Sequence, residues 1–221
     1  MQAVILAGGR GQRLRPITDY VPKPLTPLDN VPLLEWQLRY LGRFGIRNVV
    51  VCSGYKTEMI ENYLEHMGHS SVAVSAEDEP LGTAGAIRNA SDLIRGEFYV
   101  LNGDIITDID MGAIPPSHIA AVPLRTQYGV LELDGDRVAG FGEKAPLPGM
   151  WMNAGIYRLE RDVLDRLPGR GDIEQTLFPE WAAAGGLGAA RFPNARWHSI
   201  DSFKDIEECA PQVSGIISGT W

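Results

Sequence analysis

The sequence predicts an α/β protein: a mostly parallel sheet flanked by helices, running into a mixed or antiparallel second half. Three observations lead there. Short apolar runs end abruptly on turn residues, as strands buried on both faces do. Helical periodicity separates the first two runs. After residue 115, strand-like runs follow one another with few helices between them.

Ala3-Val4-Ile5-Leu6-Ala7 is a continuous apolar run that stops at Gly8-Gly9, and Asn48 to Ser53 repeats the pattern. Between them Leu34, Leu38, Leu41 and Phe44 recur three or four apart and give a helix one apolar face. Pro32 suits the first helical position and Gly45 the stop. Strand–loop–helix–strand is the unit from which parallel sheets are built. The same reading predicts helices over 57–67 and 84–94, and strands over 71–76 and 98–101, the last closing on Asn102-Gly103-Asp104. Strands follow at 118–124, 129–133, 137–141 and 154–159, with Asp134-Gly135 as a hairpin signal. Helices are expected over 172–184 and 206–217. No repeat or linker interrupts the chain, so residues 1–221 are expected to form one domain.

With 221 residues, 44% hydrophobic and 22% charged, the composition is that of an ordinary globular protein. No apolar run reaches the length of a membrane span, and the first residues lack the basic leader of a secretory signal. A net charge of −8 argues against non-specific partners such as nucleic acid or an anionic membrane. Cys52 and Cys209 have no metal-binding spacing and read as packing residues of a reduced, cytoplasmic protein. His66, His69, His118 and His198 form no recognisable ligand set, and no nucleophile motif is present.

One stretch contradicts the acidic average. Residues 10–23 carry Arg10, Arg13, Arg15 and Lys23 against Asp19 alone, directly after Gly8, Gly9 and Gly11. A glycine-rich loop lets backbone N–H groups surround an anion. In open α/β sheets ligands bind at the carboxyl ends of strands. Together these point to a polyphosphate; the plainer alternative is a tight turn beside a solvated basic face. The loop is not a P-loop, because Gln12-Arg13 follows Gly11, and Leu14 stands where a dinucleotide fingerprint needs glycine.

The stretch from Leu6 to Thr18, followed by Pro22-Lys23-Pro24-Leu25-Thr26-Pro27, closely resembles the signature of sugar-1-phosphate nucleotidyltransferases. Further segments stand in the family's order: Glu79 to Gly85, Asn102-Gly103-Asp104, Glu143-Lys144, Asn153 to Tyr157, and Trp197 to Asp205. The resemblance implies a Rossmann-like, three-layer α/β/α fold. A nucleotide-binding half over about 1–112 would join an antiparallel, sugar-phosphate-binding half over about 113–221, with no C-terminal β-helix. The implied reaction joins a nucleoside triphosphate and a sugar-1-phosphate into a nucleotide sugar and pyrophosphate. Catalysis is then largely positioning and preorganised charge.

On this resemblance the nucleotide is held by Leu6, Ala7, Gly8, Gly9, Gly11, Arg13, Lys23, Glu77, Gly82 and Thr83. Arg13 would hold the departing pyrophosphate and Lys23 the α-phosphate region. Together with Asp104 they make the catalytic set, and losing either cation is expected to cost on the order of 10²–10³ in turnover. Gly129, Glu143, Lys144 and Asn153 would take the sugar phosphate. Mg²⁺ is the implied cofactor, held by Asp104 and a second acid. Many relatives read Trp-x-Asp-x-Gly-Thr; here Ser199 occupies the Asp position, and Asp201, in Ile200-Asp201-Ser202, is assigned instead. The Glu79–Gly85 string looks most like mannose-1-phosphate guanylyltransferases. It also occurs in glucose-1-phosphate uridylyl- and thymidylyltransferases, which stay open. So does a non-catalytic nucleotide-sugar-binding subunit, for which the altered Ser199 segment is the motive. Dimerisation through the sheet edge or the terminal helix is left open.

Overall fold

Alternation along the first strand shows how the layers arise. Ala3 and Ile5 pack into one apolar cluster, while Val4, between them, packs into another. Val49 and Val51 against Val50, and Tyr99 and Leu101 against Val100, repeat the division. A strand places successive side chains on opposite faces, so a run apolar at every position must be covered on both. Each fully buried aliphatic side chain contributes about 1.5–3 kcal/mol relative to exposure.

The computed structural model describes residues 1–126, 128–143 and 146–219. In chain order its first elements are β1 (Gln2–Leu6), α1 (Ile17–Tyr20), β2 (Pro27–Leu28), β3 (Val31–Pro32), α2 (Leu33–Arg43), β4 (Asn48–Ser53), α3 (Thr57–His66), β5 (Val72–Ala76), α4 (Gly82–Asn89), β6 (Phe98–Asn102) and β7 (Ile105–Thr107). The remainder are β8 (His118–Arg125), β9 (Gly129–Asp134), β10 (Arg137–Glu143), β11 (Pro146–Leu159), α5 (Leu177–Ala183), β12 (Gly188–Arg191), β13 (Trp197–Ser199), α6 (Phe203–Cys209) and α7 (Val213–Ser218). Seven strands form the central sheet in the order β12-β8-β11-β6-β1-β4-β5. All neighbours are parallel except β11, which runs antiparallel to both β6 and β8. Side chains of α2, α3 and α7 cover one face; α4, α5 and residues 163–167 cover the other. The expected three-layer, mostly parallel fold is what forms.

Several boundaries differ from expectation. Pro32 ends β3 and precedes the helix that it was expected to open. The helix expected over 84–94 stops at Asn89, and Ser91–Leu93 is a separate 3₁₀ turn. The one expected over 172–184 begins only at Leu177: residues 171–174 bond to the first turn of α4, and the local bonds of 172–178 form irregular turns, Asp172 accepting from both Gln175 and Thr176 N–H and Ile173 from Phe178 N–H. The terminal helix is broken into α6 and α7 by a 3₁₀ turn containing Pro211, which has no N–H to donate.

The contact between residues 169–172 and α4 explains two glycines of the Glu79–Gly85 string. Gly82 has φ +75, and a Cβ there would lie 2.6 Å from the backbone of Gly171; one on Gly85 would lie 2.8 Å from the Gly169 carbonyl oxygen. Gly82→Ala is therefore expected to destabilise the fold by about 1–3 kcal/mol, read as a lowered urea midpoint at unchanged m-value.

Candidate active site

β1 and β6 end side by side, Leu6 opposite Asn102. The Gly103 N–H then donates to the Leu6 carbonyl at 2.8 Å, and a Cβ on Gly103 would collide with that oxygen. The glycine of Asn102-Gly103-Asp104 lets the two chain exits cross closely, which brings Asp104 to the Gly8–Gly11 loop.

Asp201 reaches the same place by another route. β13 pairs antiparallel with β7, Ser199 opposite Ile105, and the Ile200 N–H donates to the Asp104 carbonyl at 2.9 Å. Immediately beyond, Ser202 and Asp205 form a capping box at the start of α6. The Asp205 carboxylate also accepts the Asp201 N–H at 3.0 Å. This backbone is therefore fixed on both sides of Asp201. Sequence reading did not anticipate the β7–β13 pair; three-residue strands carry almost no periodic signal.

Lys23 sits in a 3₁₀ turn between Pro22 and Pro24. Its Nζ donates to Asp104 Oδ2 at 2.8 Å and to Asp201 Oδ1 at 2.9 Å. Arg13 donates to the same Asp201 oxygen at 2.9 Å. The two cations differ in setting: the Lys23 side chain is 14% exposed and that of Arg13 75%. Lys23 is thus a fixed charge at the floor, and Arg13 an arm reaching over the opening. Burial pushes the Asp201 carboxyl up, but hydrogen bonds from Lys23 and Ser199 and the charges of Lys23 and Arg13 outweigh it and hold the group below the usual range. The Ser199 hydroxyl makes its bond to Asp201 Oδ2 at 2.7 Å.

These groups line a cleft of about 390 Å³. Of the residues named from the sequence, Leu6, Ala7, Gly9, Gly11, Arg13, Lys23, Asp104 and Asp201 border it together. Gly8, Glu77, Gly82, Thr83, Gly129, Glu143 and Asn153 lie outside that border. Glu77 stands against Gly8, its Oε1 2.9 Å from where a Gly8 Cβ would be, and its Oε2 accepts the Leu81 N–H at 3.1 Å. Burial raises its carboxyl pKa, against the lowering effect of the Leu81 bond. Gly82 and Thr83 open α4, and Thr83 donates to Glu174 at 2.7 Å. Gly129 and Glu143 face each other across the β9–β10 ribbon, and Asn153 lies on β11. Lys144 falls outside the described residues. Glu174, which the sequence reading passed over inside an expected helix, bonds Thr83 and also accepts from Tyr157 at 2.8 Å.

The donor set fits a magnesium ion that is completed by its substrate. Two carboxylates reach one point, already occupied by a cationic group, and hard oxygen ligands are what Mg²⁺ takes, usually one or two carboxylates plus phosphate. Among the described residues no group of three or more His, Cys, Asp or Glu side chains could hold a metal. No helix there is long and apolar enough to cross a membrane.

The sequence profile described as nucleotidyl transferase matches residues 2–213. The D-glycero-alpha-D-manno-heptose 1-phosphate guanylyltransferase of Campylobacter jejuni is 37% identical over 174 residues, covering 75% of this chain and 78% of that one. A probable mannose-1-phosphate guanylyltransferase of Oryza sativa is 35% identical over 93% of this chain, which spans 62% of the plant protein's length. Among solved structures, HddC from Yersinia pseudotuberculosis complexed with GMP-PN superposes with a TM-score of 0.72 at 26% identity, covering 96% of this chain and 98% of that one. With the profile matching nearly the whole chain and both sides of this cleft inside it, the chain belongs to the nucleotidyl transferase family.

Proposed function

We propose that this enzyme is a sugar-1-phosphate guanylyltransferase, forming a GDP-sugar and pyrophosphate from GTP and a hexose or heptose 1-phosphate, with mannose 1-phosphate the leading candidate. The observation that carries the reading is the convergence of Lys23, Arg13, Asp104 and Asp201 on one cleft at the ends of β1 and β6. The guanylyltransferase names of the relatives and the GMP-PN complex of the structural neighbour support the base.

A phosphate oxygen of the sugar phosphate attacks the α-phosphorus of GTP, the bond from that phosphorus to the β-phosphate bridging oxygen breaks, and pyrophosphate leaves with the electron pair. Both reactants are anions, so their approach is opposed until charge is supplied. Arg13 grips the β- and γ-phosphates, and Lys23 faces the α-phosphate; each gives up an aspartate partner to do so. Asp104 and Asp201 would hold Mg²⁺, which when bound would supply charge neutralisation at the phosphates. Leu6 and Ala7 border the nucleotide, Gly8, Gly9 and Gly11 bring backbone N–H groups to it, Gly82 and Thr83 close its far side, and Gly129, Glu143, Lys144 and Asn153 take the sugar phosphate. Residues 1–221 act as one catalytic domain, and the two free, buried cysteines are in keeping with the reducing cytoplasm.

Glu77 reads the base. A carboxylate accepts guanine N1–H and N2–H together, and no other common base presents that pair. Glu77→Gln replaces an acceptor by a donor, so kcat/KM for GTP is expected to fall about tenfold or more, with a smaller change for UTP. The function itself is tested by pyrophosphate release across four nucleoside triphosphates and a panel of sugar 1-phosphates. Turnover is expected with GTP, and its absence in every combination overturns the proposal. The altered Ser199 position does not favour a non-catalytic reading, because Asp201 supplies a carboxylate to Lys23.

A further inference from the structure

Between the two substrate sides lies a chain of hydrogen bonds that the catalytic cleft does not include. Thr83, in the first turn of α4, donates from Oγ1 to Glu174 Oε2 at 2.7 Å. Tyr157 on β11 donates from its hydroxyl to Glu174 Oε1 at 2.8 Å. Asn153 Nδ2 donates to that Tyr157 hydroxyl at 2.8 Å, and Asn153 Oδ1 accepts the Gly155 N–H at 2.8 Å. Tyr157 is fully buried, and burial, then Glu174, raises its phenol pKa. Its proton is therefore committed.

From this geometry we infer that Glu174 is a positioning residue joining the base side of the site to its sugar side. The inference rests on the proposed function and adds a residue to it. An ionised carboxylate only accepts, so both hydroxyls facing Glu174 must donate to it. Having donated its one proton, the Tyr157 oxygen must accept from the neighbouring amide, which presents Nδ2 of Asn153. The Gly155 N–H requires Oδ1 on the other side. The amide is thereby locked in one orientation, with its second N–H left over to donate to a hydroxyl or phosphate oxygen of the sugar phosphate. At its other oxygen Glu174 holds Thr83, whose Oγ1 in turn accepts the Ile173 N–H at 2.9 Å. One carboxylate thus fixes the first turn of the nucleotide helix and the polar end of the sugar strand.

The test compares Tyr157→Phe, Glu174→Ala and Asn153→Ala, each alone and the first two in the Asn153→Ala background, with GTP and mannose 1-phosphate. Tyr157→Phe keeps the ring and the Thr83–Glu174 bond. It is expected to raise the KM for mannose 1-phosphate on the order of tenfold, the scale of one charge-linked hydrogen bond, while the KM for GTP changes less than about twofold. Glu174→Ala, losing both bonds, raises both KM values. In the Asn153→Ala background Tyr157→Phe has no further effect on the sugar KM. Equal loss for both substrates in Tyr157→Phe, full additivity with Asn153→Ala, or an unchanged sugar KM overturns the inference. Should Tyr157→Phe fail to fold, Glu174→Gln serves in its place, since an amide can satisfy only one of the two hydroxyl donors; sugar and GTP KM values both unchanged would overturn the inference. A wild-type protein that turns over no sugar phosphate fails the functional reading itself, a distinct result.

Discussion

Lys23→Ala is expected to lower kcat on the order of 10²–10³-fold at saturating substrates. The size follows from where the charge sits. Its ammonium lies between two carboxylates and is mostly shielded from water, so its field is screened far less than that of a surface lysine. Without it, Arg13, exposed at the opening, is the side-chain cation left among the described residues bordering the cleft to oppose negative charge building between the α-phosphate and its leaving group. A second effect runs the same way. Asp104 and Asp201 would face each other without their shared cation, and like charges disfavour double ionisation. The Asp201 carboxyl, low in the intact protein, is expected to move up. Lys23→Arg should rescue only part of the loss, since a planar fork cannot sit as one point between two acceptors. Steady-state pyrophosphate release, with thermal melting as a control for folding, checks both variants. A Lys23→Ala kcat within about threefold of wild type, against the drop set by losing an oxyanion donor, would contradict the role.

Asp201→Ala is the second large effect, a loss on the order of 10² in kcat/KM with a weakened dependence on Mg²⁺. The informative variant is its partner. Ser199 stands where the family resemblance leads one to expect Asp, and its hydroxyl already touches the Asp201 carboxylate. Its backbone is pinned by the pairing with Ile105. A carboxylate introduced there starts from a fixed strand position beside Asp201, so Ser199→Asp in the Asp201→Ala background is expected to recover about tenfold of the loss, the scale of one restored charged hydrogen bond. In the wild-type background the same change adds a like charge and brings no gain. Activity in Asp201→Ala equal to wild type, at any magnesium concentration, would remove Asp201 from the site.

What could be read from the sequence, and what could not, divides by range. β1, β4 and β6 were legible because apolar runs ending on glycine have one inexpensive solution, a doubly covered strand. The loop carrying Arg13 and Lys23 was legible as an anion site from its charge and glycines, whereas Asp104 and Asp201 were named only through the family resemblance; the fold brings all four to one cleft. Features fixed by partners far along the chain were not. Residues 172–176 carry a helical pattern, yet Asp172, Ile173 and Glu174 bond Thr83, which is about ninety residues away, and tertiary hydrogen bonds outweighed local propensity. The reason for glycine at 82 lay in the backbone of Gly171, invisible in any local window. Glu174 was hidden for the same cause: its meaning is the pair of hydroxyls that the fold brings to it.

In the proposed reaction one cleft neutralises two anionic reactants so that the first can attack the second. Single-turnover pyrophosphate release tests it most directly, with Mg²⁺, GTP and mannose 1-phosphate supplied together and each omitted in turn, for wild type and Lys23→Ala. Rapid release is expected only with all three present, falling on the order of 10²-fold or more in the variant. Release from GTP at the same rate without any sugar phosphate, or an unchanged rate in Lys23→Ala, would contradict it.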